Sequence, residues 1–161
     1  MLIATFVVYI AVVAALTIVP THLSRIRGAD PNHINITPFS YSFTCYRVAI
    51  YQYPQQTISC LRNTFGNIVL FVPLGILLPL LSTRFESMKR ILLLALCLSL
   101  TIETIQFFLR FVGNPRAVDI DDVILNTLGA CVGFALNRAM VRSTVKSELA
   151  PASGESGDLG V

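Results

Sequence analysis

The stretch that decides the fold is RFVGNPRAVDIDDVILNTLGA, Arg110 to Ala130. Asp119, Asp121 and Asp122 crowd into four residues, Arg110 and Arg116 stand just upstream, and a long apolar run lies on either side. Charge gathered between uncharged runs marks a loop at a membrane surface. The rest of the chain agrees, since 54% of its 161 residues are hydrophobic and only 13% are charged. A soluble domain of this size needs far more charge to cover its surface, and the length suits one domain. The net charge of +3, from 12 basic and 9 acidic residues, comes with no basic run or aromatic-interleaved patch, so nucleic acid is excluded as a partner. His22 and His33 lie far apart and outside the apolar runs, which argues against a zinc site.

Working outward, four apolar runs predict an all-α polytopic membrane protein. Its transmembrane helices are expected at about 2–19, 63–83, 91–112 and 122–140, with an outer interfacial segment between the first and second. The first run has no basic region before it and no small-x-small site after it, so an uncleaved anchor is favoured over a signal peptide. Pro73, Gly75 and Pro79 interrupt the second run; in a membrane, neighbouring helices satisfy the carbonyls that proline frees. Residues 1–143 form one transmembrane domain, and the Ser/Gly/Ala/acid-rich residues 144–161 are expected to be a disordered cytoplasmic tail.

Orientation follows from basic residues in short loops. Arg84, Lys89 and Arg90 sit between the second and third helices, and Arg138, Arg142 and Lys146 follow the core of the fourth. A four-helix chain places both groups on one side, which is then cytoplasmic, with both termini. The expected location is the cytoplasmic (inner) membrane. The Asp-rich loop and the Pro20–Arg62 segment then lie outside. That segment carries Phe39, Tyr41, Phe43, Tyr46, Tyr51 and Tyr53, rings that favour the headgroup level. An oxidising space there would let Cys45 and Cys60 form a disulfide. Cys97 and Cys131 lie within helices and read as small apolar residues.

The polar residues inside the runs are spaced by three and four. Ser99, Glu103, Gln106 and Arg110 share one face of the third helix; Asp122, Asn126, Gly129 and Gly133 share one face of the fourth; Asn63 and Asn67 open the second. Each such group costs free energy in hydrocarbon, about 2.5–3.5 kcal/mol for a central charge, so the three stripes are expected to face one another. Gly129 and Gly133 make a small-xxx-small face for close helix approach. Plainer roles compete throughout. Asp119 and Asp122 suit the N-terminus of the fourth helix as caps, Asn67 and Asn126 suit interhelical bonding, and Glu103 suits an ion pair with Arg110 or Arg116.

The chain resembles the VanZ family of bacterial membrane proteins, named for a glycopeptide-resistance accessory. The likeness is carried by INITPF (Ile34 to Phe39), GNIVLFVPLGILLPLL (Gly66 to Leu81), SLTIETIQ (Ser99 to Gln106) and RAVDIDDVILNTLGACVGF (Arg116 to Phe134). The family's glutamate and glutamine match Glu103 and Gln106. Its arginine and aspartates before the last helix match Arg116, Asp119 and Asp122, and its asparagine and glycine match Asn126 and Gly129. The chain departs from the family in a longer outer segment carrying Cys45 and Cys60. The resemblance implies a contribution to teicoplanin-type lipoglycopeptide resistance in some members.

The expected function is non-enzymatic. Asn67, Glu103, Gln106, Arg110, Arg116, Asp119, Asp122 and Asn126 line an outer-leaflet cleft for a membrane lipid or lipid-linked cell-wall precursor. Arg110 and Arg116 suit phosphate or carboxylate, and the acids order them or meet a cationic group. A rival expectation is an enzyme acting on an envelope lipid, with Glu103 and Asp122 as general acid and base. No Ser–His, Cys–His, HExxH or P-loop arrangement supports that rival, no cofactor is implied, and a divalent cation on the aspartates is its one inorganic option. A third expectation is a scaffold for envelope proteins through the glycine face.

Overall fold

A computed structural model of the chain describes residues 1–18, 34–51, 54–109, 111 and 118–149. Arg110, Arg116, His22, His33 and residues 150–161 lie outside the described residues. The elements are α1 (Leu2–Ile18), β1 (Ile34–Asn35), α2 (Ser40–Ile50), α3 (Pro54–Leu81), a 3-10 turn (Thr83–Phe85), α4 (Met88–Leu109), β2 (Val118–Asp119) and α5 (Ile120–Leu149).

Three helices are long and apolar enough to cross a membrane, within Thr57–Leu81, Met88–Leu109 and Ile120–Ser147. α1 is more apolar still but has 17 described residues, about 25 Å of helix against a hydrocarbon core of about 30 Å. Outward-facing apolar side chains run along all four, among them Val7, Val69, Leu93, Phe108 and Leu128. On a water-soluble protein this would be one large aggregation-prone surface; against lipid it carries no penalty.

Helix bounds differ from those expected wherever apolarity alone set the expectation. α3 begins at Pro54 rather than 63, because proline at the first helical position gives up an N–H that has no partner there anyway. α4 begins at Met88 rather than 91. α5 runs on to Leu149, so residues 144–149, expected in a disordered tail, are helical. Apolarity marks the part of a helix that suits lipid, whereas backbone hydrogen bonding continues past it. The segment between the first two apolar runs likewise contains a helix, α2, which the recurrence of its aromatics did not announce.

α5 packs along α3 and, less extensively, α4, while α1 rests on α3 and α4. The α3–α5 seam is set by glycine. A Cβ at Gly129 would sit 2.1 Å from Ile68 O, and one at Gly133 2.0 Å from Val72 O. In the other direction, a Cβ at Gly75 would sit 2.0 Å from Ala130 O. Backbones therefore meet with no side chain between them, as the small-xxx-small spacing predicts. This corrects the scaffold expectation: the glycine face is consumed inside the chain and is not presented to a partner. Phe71, Leu74, Leu78, Ile91, Ala95, Ile102, Ala130 and Phe134 fill the space around the seam, joined by Val13 of α1.

α3 stays helical through Pro73 and Pro79. Neighbouring helices bond to its backbone near both prolines, with Tyr9 Oη donating to Leu70 O at 2.9 Å and Asn137 Nδ2 donating to Ile76 O at 3.2 Å. That is how a membrane bundle accommodates a disturbed hydrogen-bond ladder.

Candidate functional site

The polar stripes of α3, α4 and α5 meet at the end of the bundle where α3 and α5 begin and α4 finishes. Asp122 Oδ1 accepts from Asn63 Nδ2 at 3.2 Å and also from Asn67 Nδ2, joining α3 to α5. Asn126, one turn further along α5, donates from Nδ2 to Ser99 Oγ on α4 at 2.8 Å. Glu103, one turn beyond Ser99, accepts from the backbone N–H of Asp119 at 3.2 Å. Ser99, Glu103 and Asn126 are all buried. Spacings of three and four on three helices thus become lateral hydrogen bonds at matching depths.

Asp119 is the junction. Its Oδ1 accepts from the N–H of Asp121 at 2.9 Å, the bond of an N-cap to the second helical residue, so Asp119 caps α5. The same oxygen accepts from Asn35 Nδ2 at 2.9 Å. A short parallel pairing of β1 with β2 sets Asn35 opposite Asp119 and Ile34 opposite Val118. Asn35 is tied in turn to its own segment, its Oδ1 accepting from Thr37 N at 3.1 Å and Ser40 Oγ at 2.7 Å. The INITPF stretch is therefore the strap that fastens the segment before α2 to the start of α5.

Asp121 was not among the expected site residues, yet it is 1% exposed and both of its carboxylate oxygens accept hydrogen bonds. Its Oδ1 accepts from the N–H of Phe39; its Oδ2 accepts from Ser42 N at 3.2 Å and Ser42 Oγ at 3.4 Å. Those N–H groups belong to the start of α2, whose own N-cap position, Phe39, is left-handed at φ 63° and supplies no side-chain cap. A carboxylate from α5 thus caps a helix whose bonded residues lie 79 and 82 positions away in sequence, and its charge suits the positive end of the α2 dipole. Nothing in the spacing of DIDD separates this role from that of its neighbours.

Cys45 on α2 and Cys60 on α3 are bonded to each other, with their Cα atoms 5.5 Å apart. α2 is therefore pinned to α3 by a covalent bond and to α5 by Asp121.

The expected residues Asn67, Glu103, Asp119, Asp122 and Asn126 come together, whereas Gln106 turns away. Its Nε2 donates to Thr17 O of α1 at 2.8 Å, so it ties α1 to the bundle at the level of the cluster. Arg110 and Arg116 lie outside the described residues, and Asp119 and Asp122 have further interactions beyond those given above. Among the described residues, one polar atom in the cluster is left over: Asn126 Oδ1 is buried and receives no hydrogen bond. Among the described residues, no three His, Cys, Asp or Glu side chains are grouped to hold a metal ion.

Comparison with known proteins gives two matches. The VanZ/LLP1 family model matches residues 6–141. The chain is also similar to Protein VanZ of Enterococcus faecium, with 36% identity over 75 residues, which is 47% of this chain and 44% of that protein. The match thus spans less than half of the curated relative's length. No solved structure matches the chain.

Proposed function

Because the chain belongs to the VanZ/LLP1 family, we propose that it is a four-span protein of the bacterial inner membrane that binds a lipid-linked or lipid-bearing envelope molecule. The site is the polar cluster around Glu103, Asp119, Asp122 and Asn126. The observation that carries the reading is the buried, unpartnered Asn126 Oδ1 within that cluster. A buried carbonyl without a donor costs about 1–3 kcal/mol, and a ligand N–H or O–H would remove that cost. Three helices already spend their polar side chains on this level of the bundle, which is where function is the default explanation of intramembrane acids.

Two independent features support placing the cluster in the outer leaflet. A Cys45–Cys60 disulfide belongs to an oxidising compartment, so the α2 end faces outward. Arg84, Lys89, Arg90, Arg138, Arg142 and Lys146 gather at the other end, which the positive-inside rule assigns to the cytoplasm, together with both termini. Arg110 and Arg116, close in sequence to Asp119, would supply guanidinium donors for phosphate or carboxylate in this reading. The protein acts as a binder, and sequestering a lipoglycopeptide or its lipid-linked target would contribute to teicoplanin resistance.

The test is mass spectrometry of lipids retained by purified wild-type protein and by Glu103→Gln, which keeps shape and hydrogen bonding but removes the titratable group. Wild type is expected to retain an envelope lipid that the variant loses. Identical lipid profiles would remove the site. Consumption of the bound lipid by wild type would assign the cluster to catalysis, with Glu103 and Asp122 as acid and base.

A further inference from the structure

At the opposite end of α4 from the polar cluster lies a groove of about 650 Å3, lined by Arg84, Phe85, Arg90, Leu93, Leu94 and Cys97. We propose that this groove is a binding site for an anionic phospholipid, with the phosphate held by Arg84 and Arg90 and one acyl chain lying along Leu93, Leu94 and Cys97.

The division of chemistry along the groove carries the proposal. Both arginines are exposed and stand at its surface end, one on the 3-10 turn and the other in the first turn of α4. Arg90 Nη1 donates to Arg84 O at 2.6 Å, which holds its guanidinium over the turn. A guanidinium has five N–H donors in a planar fork, so most of its capacity is left for a phosphate. No ion pair joins either arginine to an acid among the described residues. From Arg90 to Cys97 the wall is apolar, with Leu93 60% exposed, Cys97 exposed and Leu94 half-buried against the core behind them. Those seven steps of helix rise about 10 Å, roughly two-thirds of the hydrocarbon depth of one leaflet.

Charge and shape together select the occupant. A soluble anion would meet the arginines but make no use of the apolar wall. A zwitterionic lipid would bring its own cation against two guanidinium groups. A lipid whose headgroup carries a net negative charge fits both ends, and basic pockets beside membrane helices recognise such lipids.

Alkylation of Cys97 reports occupancy. Cys45 and Cys60 are bonded to each other, so Cys131→Ala leaves Cys97 as the single free thiol. In detergent micelles, maleimide labelling of the full chain is expected to slow several-fold on adding phosphatidylglycerol. Equal amounts of phosphatidylcholine or free glycerol phosphate should leave the rate unchanged. Arg84→Gln with Arg90→Gln should raise the half-protective phosphatidylglycerol concentration roughly tenfold or more, as expected for losing two interfacial charges. Arg142→Gln, a basic residue outside the groove, should not change it. Leu93→Asn keeps both arginines and should also weaken protection, so it carries the test if the double variant does not accumulate. Equal protection by phosphatidylcholine, protection by glycerol phosphate, or an unshifted double variant would each overturn the proposal. So would protection that follows protein concentration rather than lipid, which would assign the groove to a second copy of the chain.

Discussion

Asn126 and Asp121 are both buried polar residues of α5, but their hydrogen bonding points to opposite roles. Asp121 meets three donors and Asn126 leaves its carbonyl unmet. Asn126→Leu should therefore fold at least as well as wild type, because it removes an unpaired carbonyl while the Ser99 hydroxyl can turn back to its own helix. The same variant is expected to lose retained lipid, and a marked drop in thermal midpoint would show that Asn126 is structural glue instead. Asp121→Ala should do the reverse. It strips the first turn of α2 of its cap, at about 1–2 kcal/mol, and should increase protease sensitivity in residues 34–51. Asp119→Asn separates charge from capping, since asparagine caps about as well as aspartate. Retained folding with lost ligand would mean that the Asp119 charge acts in binding, and wild-type behaviour would reduce it to a cap. These roles were unequally legible in the sequence. Periodicity turns the polar faces that carry Glu103, Asn67 and Asp122 toward one another, but it names none of the pairs they form. It cannot say that Asp121 points away from the cluster toward α2, because that depends on how a segment 79 to 82 residues upstream folds back.

Among the elements, the α3–α5 seam is the least tolerant of change. Gly129→Val or Gly133→Val forces side-chain atoms into a carbonyl that even a Cβ would meet at 2.1 Å or less, so the helices must separate. A loss of about 1–3 kcal/mol or more is expected from such overpacking, read as reduced accumulation and a lower unfolding temperature in detergent. Gly66, with nothing within 4 Å of its Cβ position, is the internal control, and Gly66→Ala should be well tolerated. The α2 helix depends on its two fastenings instead. Cys45→Ser opens a covalent link across 15 residues, which models of chain entropy value at about 3 kcal/mol. It should combine with Asp121→Ala more than additively, because either fastening alone still holds α2 in place.

For the whole molecule, orientation is the consequential prediction. In a background with Cys97 and Cys131 replaced by alanine, Ile36→Cys should label with an impermeant maleimide added outside intact cells, and Ser87→Cys should label only after permeabilisation. The reverse pattern would place the polar cluster in the inner leaflet and overturn the outer-leaflet reading. The disulfide and the basic residues approach the same question from opposite faces of the membrane, one by redox chemistry and the other by charge.

What the amino-acid order determined by itself is the set of properties that depend on near neighbours. Apolar run length selects the membrane-crossing helices, spacings of three and four align their polar and glycine faces, and the acids before the last helix mark its start. Tertiary structure alone decided three things. Gly129 and Gly133 meet Ile68 and Val72 of this same chain rather than a partner, Gln106 reaches back to Thr17 on α1, and Asp121 caps α2. The physical reason is common to all three. A face pattern states that a side chain needs a polar or close-packed neighbour, but the neighbour's identity depends on which helices stand side by side, and that is settled only when the bundle closes.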